Sequence, residues 1–351
     1  MAKTILPKID QAYLLEVLQS LLNIPSPTGY TEDAISFVNT ELSKFEALKL
    51  SETNKGALVA EWPGKSSEAP RALTAHVDTL GAMVKEIKPN GRLKLTPIGG
   101  FAWNTVEGEA CWVMTQSGEK VRGALLATFA SGHVHAAKVN ETKRDADTVE
   151  IRLDARTNSA EETQEMGVSV GDFVAFDPRV EITNGFIRSR HLDDKSGVAA
   201  IIAAIAAMDA AGLKPSQRTT IHISNYEEVG HGAAAGFPED LFELLTVDMA
   251  AVGEGQTSDE FSATLCVKDS GGPYHHAFNQ RMRALAETYE IAHKIDIYPY
   301  YGSDGEAYWR AGGDVQVALM GPGLDASHNY ERTHTEAILA TTQWILAYLL
   351  S

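Results

Sequence analysis

The spacing of apolar residues changes period twice along this chain, and those two changes constrain the fold more than any other feature. Through the first eighty or so residues, helix and strand signals alternate. Apolar residues at helical spacing run over 11–23 behind Asp10, a residue type that caps helix N-termini. Ile-Pro-Ser-Pro-Thr-Gly-Tyr at 24–30 breaks the pattern, Thr31 opens a second helix to about Phe45, and 57–62 and 71–77 read as buried strands. From about Val84 to Ser189 the apolar runs are short and strand-like. Asn90-Gly91, between 84–87 and 92–95, predicts a type I′ hairpin; Asn184-Gly185 marks a second between 180–182 and 186–188. Runs at 110–115, 121–128, 148–153 and 172–176 add strands, and the polar stretch 138–147 is expected as an exposed loop.

After residue 190 the alternation returns. An Ala/Ile-rich helix is predicted over 196–211, ending at Gly212, with strands at 219–224, 244–249 and 315–320 and helices at 274–292 and 335–350. Alternating strands and helices favour a mainly parallel mixed sheet flanked by helices, because such a sheet is covered on both faces. The predicted class is therefore α/β. One domain comprises residues 1–84 and 190–351, and a β-rich insert at 85–189 interrupts it.

Composition narrows the partners. A chain of 351 residues, 44% hydrophobic, can bury a large core without staples. Its two cysteines, Cys111 and Cys266, lie far apart and form no ligand spacing, so a reducing compartment is expected. Residues 1–9 lack the apolar segment of a secretory leader, and the apolar run at 197–208 is too short to span a bilayer. A formal charge of −17 opposes nucleic acid and anionic membranes. A cytoplasmic protein with a small-molecule or peptide substrate is expected.

Parallel sheets gather ligands at the carboxyl ends of their strands, and five acidic or histidine-bearing spots fall there. His76-Val77-Asp78 closes the strand at 71–77, and alternation puts His76 and Asp78 on one side. His191-Leu192-Asp193-Asp194-Lys195 precedes the Ala-rich helix, where acids also serve simply to complement the helix dipole. Tyr226-Glu227-Glu228 follows the strand at 219–224; adjacent glutamates there are costly unless paired, protonated or bound to metal. Asp248 is a single acid in an apolar strand signal. His328 and His334 flank the start of the last helix, and either could ligate a metal.

Each spot has a structural explanation when taken alone: a helix cap, a solvated loop, a buried hydrogen bond. Together they supply what two divalent cations roughly 3.5–4 Å apart require: a bridging carboxylate, further carboxylates and imidazoles. The mixed N/O set suits Zn, Co or Mn better than Ca. One of two adjacent glutamates can ligate while its neighbour handles a proton. No Gly-x-Ser-x-Gly elbow, Walker motif or dinucleotide-binding glycine signature competes.

In this order the motifs resemble those of the tetrahedral, glutamyl and deblocking aminopeptidases, dinuclear-metal exopeptidases of which some have been labelled endoglucanases. The resemblance runs through 24–30, His76 and Asp78, Gly167 to Asp172, 193–197, 227–230, Asp248, Gly302-Ser303-Asp304 and His334-Thr335-Glu336. It implies that Asp193 bridges two metals, that His76 and Asp248 complete one site, and that Glu228 and His334 complete the other. It further implies that Glu227 is the general base and that Asp78 orients His76. A zinc-peptidase-like domain with a β-barrel-like dimerisation insert is implied, as are homo-oligomers from dimers up to twelve-subunit tetrahedral shells that admit peptides. Thr79 stands where the family commonly has Glu, Lys195 replaces a common Arg, and His328 is an additional histidine.

The competing expectations are a deacylase or specialised small-peptide amide hydrolase on the same scaffold, and a non-catalytic metal-binding assembly protein. A glycosidase needs two carboxylates flanking a sugar bond, which the neighbouring Glu227 and Glu228 fit less well than metal ligation.

Overall fold

A computed structural model describes residues 5–351; residues 1–4, part of the 1–9 segment considered as a leader, lie outside the described residues. The Leu192–Ala210 helix sits at the centre of the larger core, packed against the Gln11–Leu22 and Thr335–Leu350 helices and the Ser66–His76 strand. Its alanines let neighbours approach closely, and a helix that is apolar all round is buried all round. The Asp10 carboxylate caps Gln11–Leu22 by accepting the Ala12 and Tyr13 N–H groups at 3.0 and 3.1 Å. Thr31 precedes the Glu32–Leu42 helix but makes no side-chain cap bond.

These helices cover a twelve-stranded sheet. At its centre Gln217–Ser224, Ser66–His76, Glu243–Val247 and Gln316–Asp325 run parallel and adjacent. Glu243–Val247 is buried along its whole length, as a strand covered on both faces must be. Leu58–Trp62 and Ala263–Lys268 pair antiparallel on either flank, so the sheet is mixed but mainly parallel at its core. Neither Ala263–Lys268 nor His293–Ile297 was predicted as a strand; their apolar runs are short and broken by polar residues.

Six antiparallel strands form a separate closed barrel, running from Gly81–Ile87 to Phe173–Phe176 around Val84, Leu95, Val113, Leu125, Ile151 and Val174. The second predicted hairpin is type I′, with positive φ at both Asn184 (54°) and Gly185 (83°). It is not part of the barrel. Phe186–Ser189 pairs with Glu331–His334 and so joins the large sheet. The first hairpin differs from the predicted type: only Gly91 has positive φ (77°), and Lys88 N–H bonds to Arg92 O across a three-residue Pro-Asn-Gly loop. Proline presets the first turn position and glycine takes the left-handed one, a combination that displaces type I′. The stretch expected as a loop at 138–147 begins with a single helical turn, Lys138–Glu141.

Cys111 and Cys266 are both free and buried, one in the barrel and one in the sheet. Among the described residues no helix is long and apolar enough to cross a membrane.

Candidate active site

The parallel strands deliver the site. His76 ends Ser66–His76, the Glu227–Val229 turn follows Gln217–Ser224, and Asp248 directly follows Glu243–Val247. Asp193 and Asp194, joined by a cis peptide, carry non-helical dihedrals at the mouth of the central helix, so regular helix begins after them. His328 lies in the tight turn between Gln316–Asp325 and Glu331–His334, with φ of 62°.

Two overlapping triads result. Ligand atoms of His76, Asp193 and Asp248 lie within 4.8 Å of one another, and those of Asp193, Glu228 and His328 do likewise. Asp193 belongs to both: Oδ1 is 3.2 Å from His76 Nε2, and Oδ2 is 3.4 Å from His328 Nε2. Glu227 Oε2 lies 3.7 Å from His76 Nε2 but in neither triad. A cavity of about 470 Å³ opens onto the cluster.

The supporting contacts are buried. His76 Nδ1 donates to the Asp78 carbonyl at 2.9 Å, with the Asp78 carboxylate at 3.5 Å, leaving Nε2 facing Asp193. Asp78, fully buried, also accepts the Thr28 hydroxyl at 2.7 Å and the N–H groups of Glu227 and Glu228 at 3.1 and 3.2 Å. The Asp78 carboxylate thus ties down the main chain of the glutamate pair, while its own carbonyl faces His76 Nδ1. Asp194 accepts the His76 N–H at 3.3 Å and the Gly197 N–H at 3.2 Å, combining the cap role with a tie to the site.

Two further acids, given no role from the sequence, support the cluster. Glu331 accepts N–H groups from Asp193 and His328, and Asp304 accepts the Ala233 N–H at 2.8 Å and the Thr74 hydroxyl at 3.4 Å. The Gly-Ser-Asp motif pointed at Asp304 only through the resemblance, and Glu331 had no signal beyond its place between two histidines.

His334 is a correction. It is not in either triad: its ring packs edge-on against Phe186 (4.9 Å) and beside Phe261 (5.2 Å), and Nδ1 accepts the Glu336 N–H as the cap of the last helix. Pairing of Glu331–His334 with Phe186–Ser189 carries His334 away from the cluster, while the preceding turn brings His328 in.

Crowded acids give the site an unusual charge balance. Burial, reinforced by Asp193, pushes Glu228 up to about 8 against the pull of His328, and burial with Asp193 pushes Asp248 up to about 7. Burial likewise raises Glu227, Asp194 and Glu331 well above the ordinary carboxylate range. At Asp193 burial opposes ionisation, but hydrogen bonds from His328 and His76 outweigh it and hold the carboxyl low. Burial disfavours the charged form of His328, yet Asp193 and Glu228 raise it to about 10. Apart from Asp193, the carboxylates of the cluster need added positive charge to stay ionised, which fits the donor set of a divalent-cation centre.

Solved structures share this pairing of sheet and barrel at the level of fold. An aminopeptidase from the archaeon Desulfurococcus kamchatkensis superposes with a TM-score of 0.86 at 20% identity, over 97% of this chain and 95% of that one. The Pyrococcus horikoshii TET1 peptidase, described as assembling into a tetrahedron or a large octahedral shell, gives 0.84 at 22% identity, over 96% and 99%. This chain belongs to the M42 glutamyl aminopeptidase family, whose model matches residues 56–344, and it is accordingly a hydrolase of the aminopeptidase class. A Bacillus subtilis (strain 168) protein, provisionally named aminopeptidase YhfE, is 45% identical over 338 residues, covering 96% of this chain and 97% of that relative. The lysyl aminopeptidase of Pyrococcus furiosus is 25% identical over 293 residues, 81% of each chain.

Proposed function

We propose that this chain removes N-terminal residues from peptides with two divalent cations, Zn, Co or Mn, held by His76, Asp193 and Asp248 and by Asp193, Glu228 and His328. The observation that carries the reading is the membership of Asp193 in both triads, since a paired centre needs one carboxylate within reach of both ions. Bound there, the cations supply Lewis-acid charge that stabilises the oxyanion developing on a peptide carbonyl. Glu227, beside the cluster but in neither triad, accepts the proton of the attacking water and passes it to the leaving amine. Asp78 holds the Glu227 and Glu228 main chain and fixes the His76 tautomer.

The same reading places the protein in the cytoplasm as a homo-oligomer. The barrel serves as a dimerisation module, and dimers build toward the shell described for the Pyrococcus horikoshii peptidase. Sedimentation analysis distinguishes a dimer from a dodecamer. Purified protein assayed with aminoacyl-p-nitroanilides and N-acyl amino acids, with and without chelator and added metal, tests the activity. Chelator-sensitive release from free-amine substrates supports it. Turnover of N-acyl compounds alone would make the chain a deacylase.

A further inference from the structure

Arg310 is a permanent cation on the wall of the cavity that leads to the metal cluster. The other ionisable side chains on that wall named in the candidate mechanism are the acids Asp193, Asp248, Glu227 and Glu228 and the imidazole of His328. Arg310 ends the short Asp304–Arg310 helix, and its side chain is 64% exposed. Among the described residues its one side-chain hydrogen bond runs from Nη2 to Glu306, a turn earlier.

Glu306 is 2% exposed, and its other carboxylate oxygen accepts the Gly271 N–H at 2.7 Å. A Cβ at Gly271 would stand 2.3 Å from that carboxylate, so glycine makes the contact possible. The guanidinium is thus held at Nη2 by a buried acid, and its remaining donors are free to form a forked contact.

Depth separates Arg310 from the reacting groups. His76, Asp193 and Asp248 are 1%, 8% and 4% exposed, whereas Arg310 stands at the mouth with Tyr300, which is 99% exposed. An enzyme that cuts after the first residue must bring the substrate's amino end to the buried cluster and let the rest of the chain leave through the mouth. In a short free peptide, the group arriving there is the terminal carboxylate.

We propose that Arg310 is a specificity-determining residue that takes the C-terminal carboxylate of a short peptide, making di- and tripeptides with a free carboxyl end the preferred substrates. This rests on the aminopeptidase reading above.

The test compares Leu-Gly and Leu-Gly-Gly with their C-terminal amides, using metal-supplemented wild type, Arg310→Met and Arg310→Lys. Wild type should favour each free acid over its amide by about tenfold in kcat/KM, carried by KM, the effect of one charge-assisted contact. Arg310→Met should bring that ratio near one, and Arg310→Lys should restore part of it. A wild-type ratio near one with robust turnover, or a ratio that survives Arg310→Met, overturns the assignment while leaving the aminopeptidase reading intact. An Arg310-dependent preference for Glu-Gly-amide over Leu-Gly-amide would move the contact to an acidic N-terminal side chain, overturning it too. Failure of wild type to cleave any of these compounds sinks the aminopeptidase reading and this assignment with it.

Discussion

Glu331 accepts the main-chain N–H of Asp193 at 3.1 Å from a wholly buried position. Its second oxygen takes the His328 N–H at 3.1 Å, so one side chain sets the positions of two candidate ligands that lie far apart in sequence. Glu331→Gln should therefore weaken metal binding roughly 10- to 100-fold while the fold persists, as loss of an outer partner does in metal sites. Metal titration followed by calorimetry checks this; unchanged affinity would reduce Glu331 to a packing role.

The two histidines before the last helix should separate cleanly. His328→Ala should hold about half the metal of wild type by elemental analysis, since His328 enters only one triad. His334→Ala should keep the full complement and instead lose roughly 0.5–2 kcal/mol of stability, because its ring caps the last helix. The reverse pattern would return His334 to the ligand set.

Glu227→Gln should retain both metals yet lose turnover by about 10²- to 10⁴-fold, the usual size of a general-base contribution. Glutamine keeps the shape of the side chain without accepting the proton. Loss of one metal in this variant would instead make Glu227 a ligand.

His222 should make the protein acid-sensitive. Burial, aided by Lys55, depresses its pKa to about 3 from 6.5. Between those values the unfolded chain binds a proton that the folded chain excludes, so stability falls as pH drops from about 6.5 toward 3 and is unaffected by this group above that window. Thermal melts of His222→Gln should lose less between pH 7 and pH 5 than wild type. Parallel melting curves for the two proteins would count against the assignment.

Gly185 should resist substitution. Its φ is 83°, and a Cβ there would stand 2.2 Å from His334 Nε2, so Gly185→Ala should cost roughly 1–3 kcal/mol from backbone strain, with the ring displacement added. Denaturant unfolding measures it, and a neutral result would show that the hairpin relaxes freely.

Much of this was legible from residue order alone. The Thr335–Leu350 helix, the central parallel strands and the barrel segment follow from local period, because burial of one face or of both imprints itself on neighbouring positions. His76, Asp193, Glu228 and Asp248 were also readable as a group, since strand ends in a parallel sheet converge. The Asn90-Gly91 turn was misread in type because the preceding Pro89 changed which position takes positive φ.

By itself, then, the sequence determined most of the helices and strands, though not Ala263–Lys268 or His293–Ile297, and which residue types gather at the carboxyl ends of the strands, both matters of short-range pattern. Only the tertiary structure brought His328 rather than His334 beside Asp193, joined the 181–189 hairpin to the large sheet, and enlisted Glu331 behind Asp193. Those outcomes depend on pairings between segments more than a hundred residues apart, and strand register over such distances is set by the packing of the whole core.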